Sequence, residues 1–365
     1  MLLELCPVVL KKSSNYREIH LASKHKTSSD SEHPTLNIQL PTLVGSELRT
    51  PNSELSCAVV VASFRPGQVI DRCLHSLLAQ QGIANVQIVV VDSSADGTAE
   101  RLRRDFPTVE VIGLEQQTHQ SIARNIGIAR TQAPFIAITD QDCVVPPDWL
   151  ARLLARHQED EYAVVGGSIG NGTPDSAVGT ASYLIEFNEF LPAGPSHLVS
   201  MVPHCNVCFR REVFSTMGLF VAVPPGAEDQ VYNFLLCQKG QRILFDPAIV
   251  VTHLNRTDFS AFLRHQRLLG FGSAVARRTV AIPGQLFVRI PVLVYTLPFL
   301  RLIRTLARLL ATNRPAFLRY LRLLPLLIPG YLSWARGFRA GLRHTLPASA
   351  ATDAGVLDRR EDCQP

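Results

Sequence analysis

The chain has 365 residues, 46% hydrophobic and 18% charged, with 22 Gly and 24 Pro. That balance excludes a disordered or collagen-like chain and leaves room for about two domains. The formal net charge of +5 is too small to mark a nucleic-acid binder, yet residues 259–352 hold 14 Arg and no Lys, Asp or Glu, so the rest of the chain is net acidic.

Residues 1–54 are rich in Ser, Thr, Lys and Pro, show no sustained periodicity, and read as a flexible leader. The apolar run at 1–10 contains Glu4 and Pro7 and is followed, not preceded, by Lys11-Lys12, the reverse of a secretory signal. The eight Cys are scattered through apolar runs, as reduced cytosolic thiols are. Cys205-Asn-Val-Cys208 has the spacing of a zinc or redox pair, but no second pair accompanies it, and two buried thiols are expected there.

From Cys57 the chain alternates apolar runs with helical spacing. Residues 57–62 (CAVVVA) predict a strand buried on both faces, and Arg65-Pro66-Gly67 turns the chain. Apolar positions 69, 70, 73, 74, 77 and 78 predict a helix. A second strand is expected at 86–91 (VQIVVV), a second helix at 96–104 and a third strand at 109–113. A third helix at 121–130 and a fourth strand at 135–139 (FIAIT) follow. Strands alternating with helices imply a parallel α/β sheet, whose ligands collect at the carboxyl ends of the strands. The conspicuous polar residues fall there: Ser63, Asp92-Ser93-Ser94, and Asp140-Gln-Asp142. No G-x-G-x-x-G follows the first strand and no G-x-x-x-x-G-K-[ST] occurs, which removes the dinucleotide-binding and P-loop readings. Asp140 and Asp142 can face one cleft, where two carboxylates so close call for a hard divalent cation or leave a solvated acidic turn.

In order along the chain, AVVVASFRP, VVVDSSADGT, SIARNIGIARTQAPFIAITDQD, NVCFRREVFSTMGLF, GAEDQVYNFLLCQKG and ILFDPAIVVTHL follow. Residues 55–258 thereby resemble a family-2 glycosyltransferase of the GT-A fold, a Rossmann-like mixed or parallel sheet flanked by helices. The membrane-associated bacterial type is the nearest in character. The resemblance implies that Asp92 and Asp96, with backbone from Ala62, Ser63 and Phe64, bind a nucleoside diphosphate sugar, with Arg124 and Asp140 beside it. It implies that Asp140, Asp142 and His253 hold a divalent cation, Mn²⁺ or Mg²⁺. Glu228-Asp229 matches the family's catalytic pair, with Asp229 as general base for a hydroxyl on a sugar or lipid-linked acceptor. The chain departs from the family's usual pattern at Phe64-Arg65, Ser93 and Leu235.

Residues 259–345 are expected to form an Arg-rich helical region, with 346–365 as a flexible tail. The runs at 285–300 and 321–335 are apolar, but Arg and Pro interrupt both before the ~20 residues a spanning helix needs. Within 299–310, Arg301, Arg304 and Arg308 share one face opposite Leu302, Ile303, Leu306, Leu309 and Leu310. The spacing recurs at Arg336, Arg339 and Arg343, opposite Trp334, Phe338 and Leu342. That pattern suits helices lying in an anionic membrane interface on the cytoplasmic face. It does not suit nucleic acid, because no aromatic stacking platform interleaves the arginines. The expected activity is inverting glycosyl transfer in cell-surface polysaccharide or glycolipid synthesis. A sugar nucleotidyltransferase and an inactive sugar-nucleotide or lipid-binding scaffold are the rivals.

Overall fold

A computed structural model describes residues 56–223, 226–312 and 314–344. The leader and tail expected at 1–54 and 346–365 lie outside the described residues. The elements β1 (Cys57–Ser63), α1 (Val69–Leu78), β2 (Val86–Asp92), α2 (Thr98–Asp105), β3 (Glu110–Gly113), α3 (Gln120–Arg130) and β4 (Phe135–Asp140) follow the alternation read from the sequence. The valines of β1 and β2 are buried because helices cover both faces of the sheet.

After β4 come β5 (Cys143–Val144), α4 (Trp149–Glu159), β6 (Val164–Asn171), α5 (Ala177–Phe187), β7 (His197–Leu198), β8 (Asn206–Arg210), α6 (Arg211–Met217), α7 (Glu228–Gln238) and β9 (Ile243–His253). One nine-stranded sheet results, in the order β3-β2-β1-β4-β8-β6-β9-β5, with β7 paired to β9. The sheet is mixed rather than wholly parallel, because β8 runs antiparallel to both β4 and β6. This reversal has a consequence for the site. Asn206, at the start of β8, pairs with Thr139 at the end of β4, so the loop entering β8 lies on the same sheet edge as Asp140.

The chain finishes in helices: α8 (Phe259–Thr279), α9 (Leu286–Arg289), a 3-10 turn (Pro291–Thr296), α10 (Leu297–Thr312), α11 (Arg314–Arg322) and α12 (Leu324–Arg343). They share a core with the sheet, in which Phe262, Leu309, Tyr320, Leu327 and Tyr331 pack with Tyr183 and Ile185 of α5. No helix among the described residues is long and apolar enough to cross a membrane.

The α10 arginines find partners within the protein. Arg304 and Arg308 each place Nη2 2.9 Å from Glu189 Oε1, and Arg301 stacks over Trp334, its guanidinium 4.2 Å from the ring centroid. Leu309 is buried as expected, but Phe299, Leu300, Ile303 and Leu310 are exposed. Arg301 and Arg308 thus gain an aromatic face and a carboxylate, while Arg304 stays largely exposed and Leu302 and Leu306 pack against the core with Leu309.

Helices α8 and α12 meet backbone to backbone at glycines. A Cβ on Gly337 would lie 1.9 Å from the Arg267 carbonyl oxygen, a collision with backbone that no rotamer relieves. Gly337→Ala should therefore destabilise the chain by about 1–3 kcal/mol or more by forcing the two helices apart. Thermal denaturation followed by circular dichroism checks this, and an unchanged midpoint would show that the contact is not tight.

Candidate active site

The ends of β1 and β2 are tied together by Asp92. Its carboxylate is 1% exposed and accepts from Ser63 Oγ (2.8 Å), Ser94 Oγ (2.7 Å) and Ser94 N (3.3 Å). Ser63 O receives Ser93 N at 2.9 Å, which continues the ladder beyond Ala62. The Phe64 backbone is clamped by Gln141, whose Oε1 accepts from Phe64 N at 2.9 Å while Nε2 donates to Phe64 O at 3.3 Å. Asp96 is exposed and turned onto the first turn of α2, accepting from Thr98 N and Oγ1 at 3.2 and 2.6 Å. Asp92 and Asp96 line one cleft with Gly113, Leu114 and Glu115.

Arg124 was expected at the nucleotide. It is 2% exposed, and its Nη2 lies 2.7 Å from Asp140 Oδ1 and its Nη1 3.9 Å from Glu228 Oε1. It therefore joins the D-x-D turn to the E-D pair. The next residue, Asn125, fixes the approach to that pair: its Nδ2 donates to Phe220 O at 2.8 Å and its Oδ1 accepts from Phe220 N at 3.0 Å. Glu228 folds back over its own helix start, Oε2 accepting from Gly226 N and Ala227 N at 2.9 and 3.1 Å. Asp229 has no cation of its own. Burial first, and then the charge of Glu228, push its carboxyl up to about 7, against the pull of Arg124.

Asp142 and His253 meet where β5 runs antiparallel to β9, with Cys143 opposite His253 in register. His253 Nε2 lies 3.4 Å from Asp142 Oδ1, and Nδ1 lies 3.0 Å from Asn255 Oδ1. Burial works against a charged imidazole, but Asp142, aided by Cys143 and Glu186, holds it up at about 9. Ligand atoms of Asp142, Cys143 and His253 fall within 4.8 Å of one another, a spacing one divalent ion could bridge. Asp140 stands apart from this group, engaged by Arg124. Cys205 and Cys208 are buried and unpaired, as expected of structural thiols.

Residues 58–218 match the family described as Glycosyl transferase family 2. This stretch, 161 of the 365 residues, is similar to the glycosyltransferases of that family. The chain is 37% identical over 98 residues to succinoglycan biosynthesis protein ExoO of Rhizobium meliloti, covering 27% of this chain and 28% of that one. It is 26% identical over 221 residues to glycosyltransferase AglE of Haloferax volcanii, covering 59% and 72%. A solved structure of GalNAc-T7 with UDP, GalNAc and Mn²⁺ superposes with TM-score 0.46 and 18% identity, over 64% of this chain and 52% of that one.

Between residues 58 and 255 the sequence left Gln141, Asn125 and Asn255 unremarked. Gln141 and Asn125 adjoin residues singled out by motif, and only their bonds to distant backbone reveal them. The Arg124 linkage makes a stability statement. Arg124→Met would leave Asp140 and Glu228 without their shared cation and should cost about 3–5 kcal/mol. It should also raise the Asp229 midpoint above 7, since Arg124 pulls that carboxyl down. Denaturant unfolding and a carboxyl ¹³C titration measure the two effects.

Proposed function

We propose that the chain transfers a glycosyl residue from a nucleoside diphosphate sugar, UDP-linked, to a hydroxyl of a sugar or lipid-linked acceptor, with inversion, in cell-surface polysaccharide or glycolipid synthesis. The observation that carries this reading is the partly buried Asp229, raised to about 7 and set beside Arg124, at the junction of the D-x-D turn and the acceptor half. A sugar hydroxyl is a weak nucleophile, and Asp229 takes its proton as it attacks the anomeric carbon from the face opposite the leaving diphosphate. Glu228, held by two amides and near Arg124, keeps α7 in place and keeps the Asp229 carboxyl basic. Asp92 and Asp96 border the donor cleft, and the Ala62–Phe64 backbone, tied to Asp92 through Ser63, would meet the donor beside it. Asp142 and His253, with Asp140 adjacent, would hold Mn²⁺ or Mg²⁺, which supplies positive charge for the departing diphosphate. Support for the pathway comes from the similarity to succinoglycan biosynthesis protein ExoO of Rhizobium meliloti.

Asp229 works only as the carboxylate. Release of UDP from UDP-sugars by the purified chain with Mn²⁺ should therefore rise roughly tenfold per pH unit below about 7 and level above it. Asp229→Asn should bind UDP normally and lose turnover by about 10²-fold or more at every pH. A pH-independent rate, or near-wild-type turnover in the variant, would place the base elsewhere.

The C-terminal helices support a second part of the proposal, attachment to the cytoplasmic face of an anionic membrane. Of the 18 large hydrophobic residues exposed among the described ones, 12 lie between Leu286 and Leu332, in a region with arginines and no acid. Because Arg301 and Arg308 serve the fold, the apolar side chains make the contact. Phe299→Glu with Ile303→Glu should abolish flotation with both anionic and neutral vesicles, whereas high salt should release the wild type only in part. Failure of the wild type to float with either vesicle would end this reading.

A further inference from the structure

The hydrogen bonds around His253 have a direction that can be followed from residue to residue. The Thr180 hydroxyl of α5 donates toward the carbonyl oxygens of Thr173 and Pro174, each at 3.5 Å. Its oxygen is left to accept from Asn171 Nδ2 at 3.0 Å. With Nδ2 used there, Asn171 offers Oδ1, which accepts from Thr173 N (3.0 Å), Thr173 Oγ1 (3.2 Å) and Asn255 Nδ2 (3.0 Å). Asn255 Nδ2 also lies 3.2 Å from Thr173 Oγ1 and 3.0 Å from the His253 carbonyl. Three acceptors around one nitrogen fix which way the Asn255 amide points. Its Oδ1 must then be the atom that meets His253 Nδ1 at 3.0 Å.

An amide oxygen accepts and cannot donate, so the proton between these two atoms belongs to Nδ1. In the neutral ring the lone pair is then on Nε2, the nitrogen 3.4 Å from Asp142 Oδ1. We infer that Asn171 and Asn255 are positioning residues that fix the tautomer of His253, so that Nε2 is the nitrogen offered to a divalent cation at Asp142. The backbone reinforces the arrangement. Gly172 N donates to the His253 carbonyl at 2.8 Å, and a Cβ on Gly172 would come within 2.7 Å of that oxygen. The turn after β6 thus closes directly on His253. An outer residue that sets ring orientation and tautomer typically changes metal affinity by roughly 10–100-fold when lost. This inference rests on the metal site proposed above.

The test uses the full chain and the metal alone. Asn171→Asp keeps an oxygen toward Asn255, and Thr180 can turn its hydroxyl to donate to the second one; Asn171→Leu and Asn255→Leu erase the direction. Electron paramagnetic resonance titration of Mn²⁺ should find wild type and Asn171→Asp alike, and the two leucine variants weaker by roughly tenfold or more. In the Zn²⁺-loaded wild type, ¹⁵N spectra should show His253 protonated at Nδ1 and metal-bound at Nε2, the signal being assigned by its loss in His253→Ala. A ring metallated at Nδ1 overturns the inference without any variant. Leucine variants that bind like wild type, while Asp142→Ala and His253→Ala lose Mn²⁺, also overturn it and leave the metal site standing. Undiminished binding in Asp142→Ala and His253→Ala removes the metal site and the inference together.

Discussion

One buried guanidinium holds the site together. Arg124 comes from α3, Asp140 from the end of β4 and Glu228 from the start of α7, and among the described residues this is the cation that pairs with both carboxylates. Removing such groups from water is costly, and the cost is offset only while each charge keeps its partner. The arrangement therefore resists any shift of α7 relative to the sheet edge. It also apportions charge. Arg124 serves Asp140 closely and Glu228 at longer range, so Asp229, next in the chain, lies against a carboxylate with little positive charge to spare. Burial raises its midpoint first, and the charge of Glu228 adds to the rise.

The D-x-D turn leaves the strand after Asp140, and its three residues find three different partners. Asp140 turns to Arg124 and Asp142 to His253, while Gln141 between them reaches back to the Phe64 backbone. The acidic turn thus has two cations on two sides, and its middle residue ties the first strand's end to the fourth's. Two carboxylates two residues apart are held separately instead of repelling each other across one cleft.

The alternation of β1 through β4 with three helices was legible almost residue for residue, because buried parallel strands are continuous apolar runs with polar residues at their ends. The D-x-D turn, the E-D pair and His253 were legible as motifs, and the structure does bring them to one edge. What sequence could not supply was partnership. Arg124 has the composition of a ligand-facing arginine, and only Asp140 and Glu228, both distant in the chain, show that it is internal. Asp92 likewise looks like a free acceptor until Ser63 and Ser94 are seen to fill it. Residues 206–210 were not read as a strand, because Asn206 and Arg210 leave only three apolar residues between them, and so the antiparallel course of β8 came from the structure alone. Direction is set by the connection and not by the strand.

The α10 helix shows the same limit for surfaces. Periodicity fixes the angle between an arginine stripe and a leucine stripe, but it does not say which stripe faces inward. The usual answer assumes that charge seeks water. Here Glu189 and the Trp334 ring offer the arginines charge-assisted and cation–π contacts at the protein's own surface. Once those contacts form, the helix cannot rotate to bury all its leucines, and Leu309 goes in while Ile303 and Leu310 stay out. A soluble monomer rarely leaves so many large apolar groups exposed on one region. The contacts that draw Arg301 and Arg308 toward Trp334 and Glu189 thus also fix which apolar side chains of α10 stay exposed.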